Sequence, residues 1–227
     1  MAAGTEDRKP RIPPAIWALG LVSLLMDVSS ELIHSLLPVF MATSLGLSAL
    51  TIGLIEGTAE AAALIVKVFS GAFSDWWGRR KPLALLGYGL GALSKPLFAL
   101  SGGAGLIVAA RLIDRLGKGI RGAPRDALVA DLAPAEVRGA AFGLRQSLDT
   151  VGAFLGPLLA MGLMLAWADD FRAVFWVAAI PALLAVALLG FGVREPEAHT
   201  HGRRTNPIRR ENLSRLPAAY WRVVGVG

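Results

Sequence analysis

Ala173-Val-Phe-Trp-Val-Ala-Ala-Ile-Pro181-Ala-Leu-Leu-Ala-Val-Ala-Leu-Leu-Gly190-Phe-Gly-Val193 is a run of 21 residues without a charge, and its reading decides the fold. An α-helix rises about 1.5 Å per residue, so about 20 apolar residues cross a hydrocarbon core about 30 Å thick. A second run, Pro82 to Ala110, holds 29 residues of which only Lys95 is charged. The whole chain agrees with these two stretches. Of its 227 residues 54% are hydrophobic and 18% charged, with a mean hydropathy of +0.55, whereas soluble domains carry about 25% charged residues. The chain reads as a polytopic membrane protein and not as a soluble enzyme.

Cysteine is absent, which excludes disulfides, thiolate nucleophiles and cysteine metal sites. No cofactor or metal is expected. The pI near 10.3 does not point to nucleic acid, because the basic residues lie beside apolar spans, where cytoplasmic loops collect Lys and Arg. Arg8 to Arg11 followed by the apolar run Ala15 to Met26 resembles a signal peptide. The segment continues through Asp27, Glu31 and His34 to Met41 without a small-residue cleavage site, so it reads as an uncleaved first span.

Five more spans are expected at about 49–74, 82–101, 104–130, 136–166 and 172–193, and no alternating strand pattern appears. The result is an all-helical bundle over residues 15–193, after a cytoplasmic tail 1–14. With the N-terminus cytoplasmic, the inner segments hold thirteen Lys and Arg residues and the outer loops only Arg172. This asymmetry places both ends in the cytoplasm, in a cell (inner) membrane. Residues 194–216 read as a basic linker, and 217–227 as the start of a truncated seventh helix.

Ionisable residues inside spans are costly and persist where they face one another or water. At 100° per residue, Asp27, Glu31 and His34 share one face of span one within about 60°, and Glu56, Glu60 and Lys67 share one face of span two within about 40°. Span four carries Arg111, Asp114, Arg115, Lys118, Arg121, Arg125 and Asp126, and in span five Arg138, Arg145 and Asp149 share a face. Span three has only Lys95 and span six nothing. Structural pairing between helices would explain any single charge, but four polar faces imply a shared aqueous pathway. Two charged spans and a plain one, repeated, also suggest the three-plus-three symmetry from which many secondary transporters are built.

Three motifs carry a resemblance. Gly71-Ala-Phe-Ser-Asp75-Trp76-Trp77-Gly78-Arg79-Arg80-Lys81 reads as the loop between spans two and three. It resembles G-x-x-x-D-[RK]-x-G-[RK]-[RK] of the major facilitator superfamily of secondary transporters, with Trp76 in place of a basic residue. Arg115-Leu-Gly-Lys118-Gly119 is similar to that family's R-x-x-Q-G, with Lys118 where glutamine is usual and Arg121 where glycine is usual. Gly143, Gly152, Gly156 and Pro157 match G-x8-G-x3-G-P, with Ala160 and Met161 replacing the closing glycine pair. Gly117, Gly119 and Gly122 also spell G-x-G-x-x-G, but without a βαβ unit that dinucleotide fingerprint is empty.

The resemblance implies the six-helix N-terminal half of a major facilitator fold, built as a 3+3 inverted repeat, and a carrier of a small solute. It further implies a cytoplasmic gate at Gly71, Asp75, Gly78, Arg79, Arg80 and Lys81, and a helix-bend motif at Gly143, Gly152, Gly156 and Pro157 associated with efflux antiporters. Proton coupling or cavity lining is assigned to Asp27, Glu31, His34, Glu56, Glu60, Asp114, Arg115, Lys118, Arg145 and Asp149, with Arg115 a charge partner for span one. The expected partners are the lipid bilayer, the solute and protons, with a second transporter half or a homodimer completing the pathway. An inactive fragment or half-transporter subunit is the alternative. An intramembrane enzyme is a further one: Glu31 and His34 lie one turn apart, but no H-E-x-x-H or G-x-S-x-G is present. His199-Thr-His201 reads as a solvated stretch.

Overall fold

The computed structural model describes residues 11–195, and within them the regular structure is entirely helical. The first span is broken into α1 (Pro14–His34) and α2 (Leu37–Thr43), because Pro38 has no N–H to give the His34 carbonyl. There follow α3 (Ala49–Trp77), α4 (Arg80–Ala99), α5 (Ala104–Leu132), a 3₁₀ turn (Ala135–Val137), α6 (Arg138–Ala166) and α7 (Phe171–Gly192). Ser48 caps α3 by accepting the Thr51 N–H at 3.2 Å, a contact that contributes about 1 kcal/mol. Helix α3 ends at Gly78, whose φ of 70° is the left-handed conformation glycine adopts without a Cβ clash. The expected boundary at residue 74 therefore falls three residues early. Asp75, Trp76 and Trp77 belong to the last turn of the helix, and the loop shrinks to Gly78 and Arg79.

The six spans follow each other up and down. Four helical units are long and apolar enough to cross a membrane by composition alone: Pro14–Thr43, Ala49–Trp77, Ala135–Ala166 and Phe171–Gly192. Helices α4 and α5 are long enough but more polar, and they pack closely on each other. At their crossing the backbones touch: a methyl on Gly87 would lie 2.6 Å from the Gly117 carbonyl oxygen. The apolar core divides into two clusters. One holds Ile16, Tyr88 and Leu189 toward the end that carries Arg79 to Lys81, called here the basic end. The other holds Phe40, Phe98 and Phe175 toward the opposite end, where the Phe175 ring meets those of Phe40 and Phe98 edge-on.

The packing carries the repeat that polarity suggests. The main pairs are α1 with α6, α3 with α5, α1 with α7, α4 with α5, and α4 with α7. Replacing each span by the one three later in the chain, cyclically, turns this set into itself. The ends of α4 and α7 obey the same exchange. Lys81, at the start of α4, donates from Nζ to the Gly190 carbonyl at the end of α7, at 2.7 Å. Arg172, at the start of α7, donates from Nη2 to the Ser101 carbonyl just past α4, at 3.0 Å. Each cation satisfies a carbonyl that its antiparallel neighbour's C-terminus leaves unpaired.

Candidate functional site

The polar faces of α1, α3, α5 and α6 converge on a cavity of about 340 Å³. Asp27, Glu31, Glu60, Lys67, Lys118, Arg121, Arg125 and Asp149 line it, with Ala63, Leu64 and Ala153 as apolar wall. Its depth follows from the helix limits. Ala63 is the central residue of α3, Lys118 that of α5, and Ala153 lies next to the centre of α6. The cavity therefore sits midway along the bundle, and α4 and α7 contribute none of the residues that line it. A larger cavity of about 680 Å³ lies toward the opposite end between α1–α2 and α6. Its wall is mostly apolar, with Leu36, Met161 and Phe171, and none of the ionisable residues of the converging faces reaches it.

Toward the opposite end, Asp114 is the hub of a buried network. Lys95 Nζ donates to its Oδ1 at 2.7 Å and to Ser30 Oγ at 3.2 Å. Ser94 donates to the same carboxylate oxygen at 3.2 Å, and His34 Nε2 lies 3.0 Å from Oδ2. Arg111 Nη1 is 3.9 Å from Oδ2, and its Nη2 pairs with Glu56. His34 also lies 3.7 Å from Glu31. Lys95 is fully buried and Asp114 only 3% exposed, so each charge depends on the other.

A second network flanks the cavity on its basic side. Arg125 Nη1 reaches Ser23 at 3.2 Å and Asp149 at 3.5 Å. Arg145 lies 3.7 Å from both Asp149 and Asp126. Between the networks, Arg115 Nη1 pairs with Glu60 at 3.1 Å, across α5 and α3. Thus Arg115 finds its partner on span two, while Glu31 pairs with His34 in its own helix.

At the basic end Arg80 Nε lies 2.6 Å from Asp131, and its Nη1 lies 3.5 Å from Asp75. One guanidinium thereby ties together the ends of α3, α4 and α5. Glu195, just past the end of α7, accepts the Arg80 and Lys81 backbone N–H groups at 2.6 and 3.1 Å and so caps α4. Arg79 instead lies over the Trp77 ring, 5.7 Å from its centroid. Gly71 faces Ala123 on α5.

The glycine motif of α6 divides. Methyls on Gly152 and Gly156 would strike α1, the first within 2.5 Å of the Leu24 carbonyl, whereas one on Gly143 would have nothing within 4 Å among the described residues. Helix α6 runs unbroken through Pro157, so these glycines serve close contact between α1 and α6. Among the described residues no three His or carboxylate side chains form a metal-holding group. His199 and His201, the linker 194–216 beyond Glu195 and the start of a seventh helix at 217–227 lie outside the described residues.

Of the residues singled out in the sequence, Asp27, Glu31, Glu60, Lys118 and Asp149 line the cavity. His34, Glu56 and Asp114 belong to the far network, and Arg145 to the near one. Lys67, Lys95, Arg111, Arg121 and Arg125, charges of the spans that the expected site leaves out, belong to the cavity or its networks, as do the serines Ser23, Ser30 and Ser94. Lys95 carried a usable signal: a lone cation in an apolar span needs an intramembrane partner. The serines carried none, because serine packs in membrane helices for many reasons.

Fold and cavity together define a multi-pass membrane protein whose two inverted helix triplets enclose a polar site at mid-depth. The chain belongs to the Major Facilitator Superfamily, whose family model matches residues 19–225. An uncharacterized MFS-type transporter of Methanocaldococcus jannaschii is 35% identical over 199 residues, covering 87% of this chain and 49% of that protein. The multidrug resistance protein MdtH of Photorhabdus laumondii is 29% identical over 72% of this chain and 40% of its own length. Among solved structures, the human organic anion transporter MFSD10 superposes with a TM-score of 0.67 at 23% identity, over 81% of this chain and 49% of that one. The chain spans about half the length of the relatives it matches.

Proposed function

We propose that this chain is the first six-helix half of a secondary carrier for a small solute. It lies in a cell (inner) membrane with both ends in the cytoplasm. The observation that carries the reading is the cavity: carboxylates and cations from four helices gathered at the midpoint of the bundle, where inverted-repeat carriers bind their substrates. A second six-helix half, on a longer chain or on another copy, closes the pathway. In support of that, α3 and α6 bury the smallest share of their apolar length of the four apolar units.

Proton coupling through Asp27 and Glu31 follows from their place in the cavity wall. A carboxylate whose surroundings change between inward- and outward-facing states binds a proton in one and releases it in the other. Asp75 and Arg80 act at the basic end as a gate, where Arg80 holds the ends of α3, α4 and α5 together through Asp75 and Asp131. Export is favoured by the likeness to a multidrug resistance protein and by the Gly152–Gly156–Pro157 motif.

The test is flux in proteoliposomes holding this chain co-expressed with the second six-helix half of the Methanocaldococcus relative. A panel of labelled organic anions, cations and neutral drugs is loaded, with and without a pH gradient. Gradient-driven movement of one class, abolished by an uncoupler, is the expected result. Flux no greater than in empty liposomes across the panel contradicts the carrier reading and supports a non-transporting subunit.

A further inference from the structure

Of the cations that line the cavity, Arg121 alone is both buried and without an ion pair among the described residues. It is 4% exposed, yet it has no carboxylate within 4 Å among the described residues, and its Nη1 has no hydrogen-bond partner. Arg125 is paired with Asp149, and Arg115 with Glu60. The guanidinium of Arg121 lies over the Tyr88 ring, 4.7 Å from its centroid. The neighbouring helix makes room for it. A methyl on Gly87 would lie 2.7 Å from Arg121 Cβ, and one on Gly91 would lie 3.1 Å from Nη1. A flat cation is thus seated between glycines and an aromatic ring, and it lines the cavity. A buried, unpaired guanidinium is costly, so its retention calls for an occupant.

We infer that the cavity binds an organic anion, with Arg121 gripping its carboxylate or phosphate group and Lys118 adding a second positive charge. This rests on the carrier reading and names its substrate class. The charge balance supports it. Of the four carboxylates in the wall, Glu31 faces His34, Glu60 faces Arg115 and Asp149 faces Arg125 and Arg145. That leaves Asp27, and Glu31 whenever His34 is neutral, to oppose Lys67, Lys118 and Arg121, none of which has a carboxylate within 4 Å among the described residues. The surplus is positive. A guanidinium offers two parallel N–H donors that match an oxyanion edge. Leu64, Ala63 and Ala153 supply apolar surface for the rest of the molecule. At about 30 Å³ per water-sized group, the space suits a compact anion with roughly ten non-hydrogen atoms.

The purified chain, in nanodiscs, is titrated calorimetrically with benzoate, inorganic phosphate and the cation tetraphenylphosphonium. Saturable binding of benzoate or phosphate is expected, and which of the two binds separates a carboxylate site from a phosphoryl site. Arg121→Gln should weaken it at least about tenfold, and Arg121→Lys by less, because lysine keeps the charge and loses the fork. Thermal unfolding checks that both variants fold; if Arg121→Gln does not, the Arg121→Lys loss decides. Anion binding unchanged in a folded variant, or no anion binding to the parent chain, overturns the inference. Binding of the cation alone also overturns it and leaves the carrier reading standing. Intact anion binding without flux does the reverse.

Discussion

Asp114 shows what one residue holds in place. Lys95, Ser94, His34 and Arg111 all converge on its carboxylate, from α4, α1 and α5. Removing one member of a buried pair leaves an uncompensated charge, which costs about 3–5 kcal/mol. Asp114→Asn should therefore lower thermal stability in detergent by an amount of that order. Lys95→Met combined with Asp114→Leu should recover most of the loss, because replacing both partners removes the stranded charge. Equal destabilisation by the single and double variants would contradict the pairing. Asp27 is the opposite case: it lines the cavity and has no cation within 4 Å among the described residues. Asp27→Asn, in the two-half carrier, should fold, lose proton-driven flux and keep substrate exchange, since exchange moves no net proton. Proton-driven flux that survives would remove Asp27 from coupling. Helical spacing alone made the polar faces legible, because 100° per residue fixes which charges share a side. Pairing was not legible. Helical spacing offers Arg115 as a charge partner for span one, and its ion pair within 4 Å is with Glu60 on span two, because partner choice depends on how the helices cross.

At the scale of the elements, close approach is set by small residues. Gly152 and Gly156 lie against α1, and a methyl on Gly143 would meet nothing within 4 Å among the described residues. Forcing bulk into a close crossing costs about 1–3 kcal/mol. Gly152→Val should thus destabilise the chain by about that much, whereas Gly143→Ala, inside α6 with open space around it, should leave stability unchanged or raise it by up to about 1 kcal/mol. Comparable losses from both would contradict the division. The three glycines were one motif in the sequence, and only their neighbours separate their roles. The span limits were legible to within a few residues, and the chief miss has a cause. Asp75 to Trp77 look like loop beside Arg79 to Lys81, yet the left-handed turn at Gly78 is what stops the helix. Arg172, the one basic residue in the expected outer loops, also finds its reason at this scale, as the cap on the Ser101 carbonyl.

For the whole molecule, the proposed orientation rests on the thirteen-to-one charge asymmetry of its expected loops. Residues introduced as cysteine into this cysteine-free chain report it directly. Ser44→Cys and Gly102→Cys should react with an impermeant thiol reagent from outside the cell, and Ala135→Cys only from within. The reverse pattern would invert the topology. The central claim is that the mid-depth cavity is watered and opens to each side in turn. Ala153→Cys, in the wall of that cavity, tests it in cells that also supply the second half. An impermeant reagent should modify it from outside in intact cells and from inside in inverted vesicles, while Leu184→Cys, on an exposed face of α7, stays unmodified. Modification of Ala153→Cys from one side only, or from neither, would contradict a carrier built around this cavity.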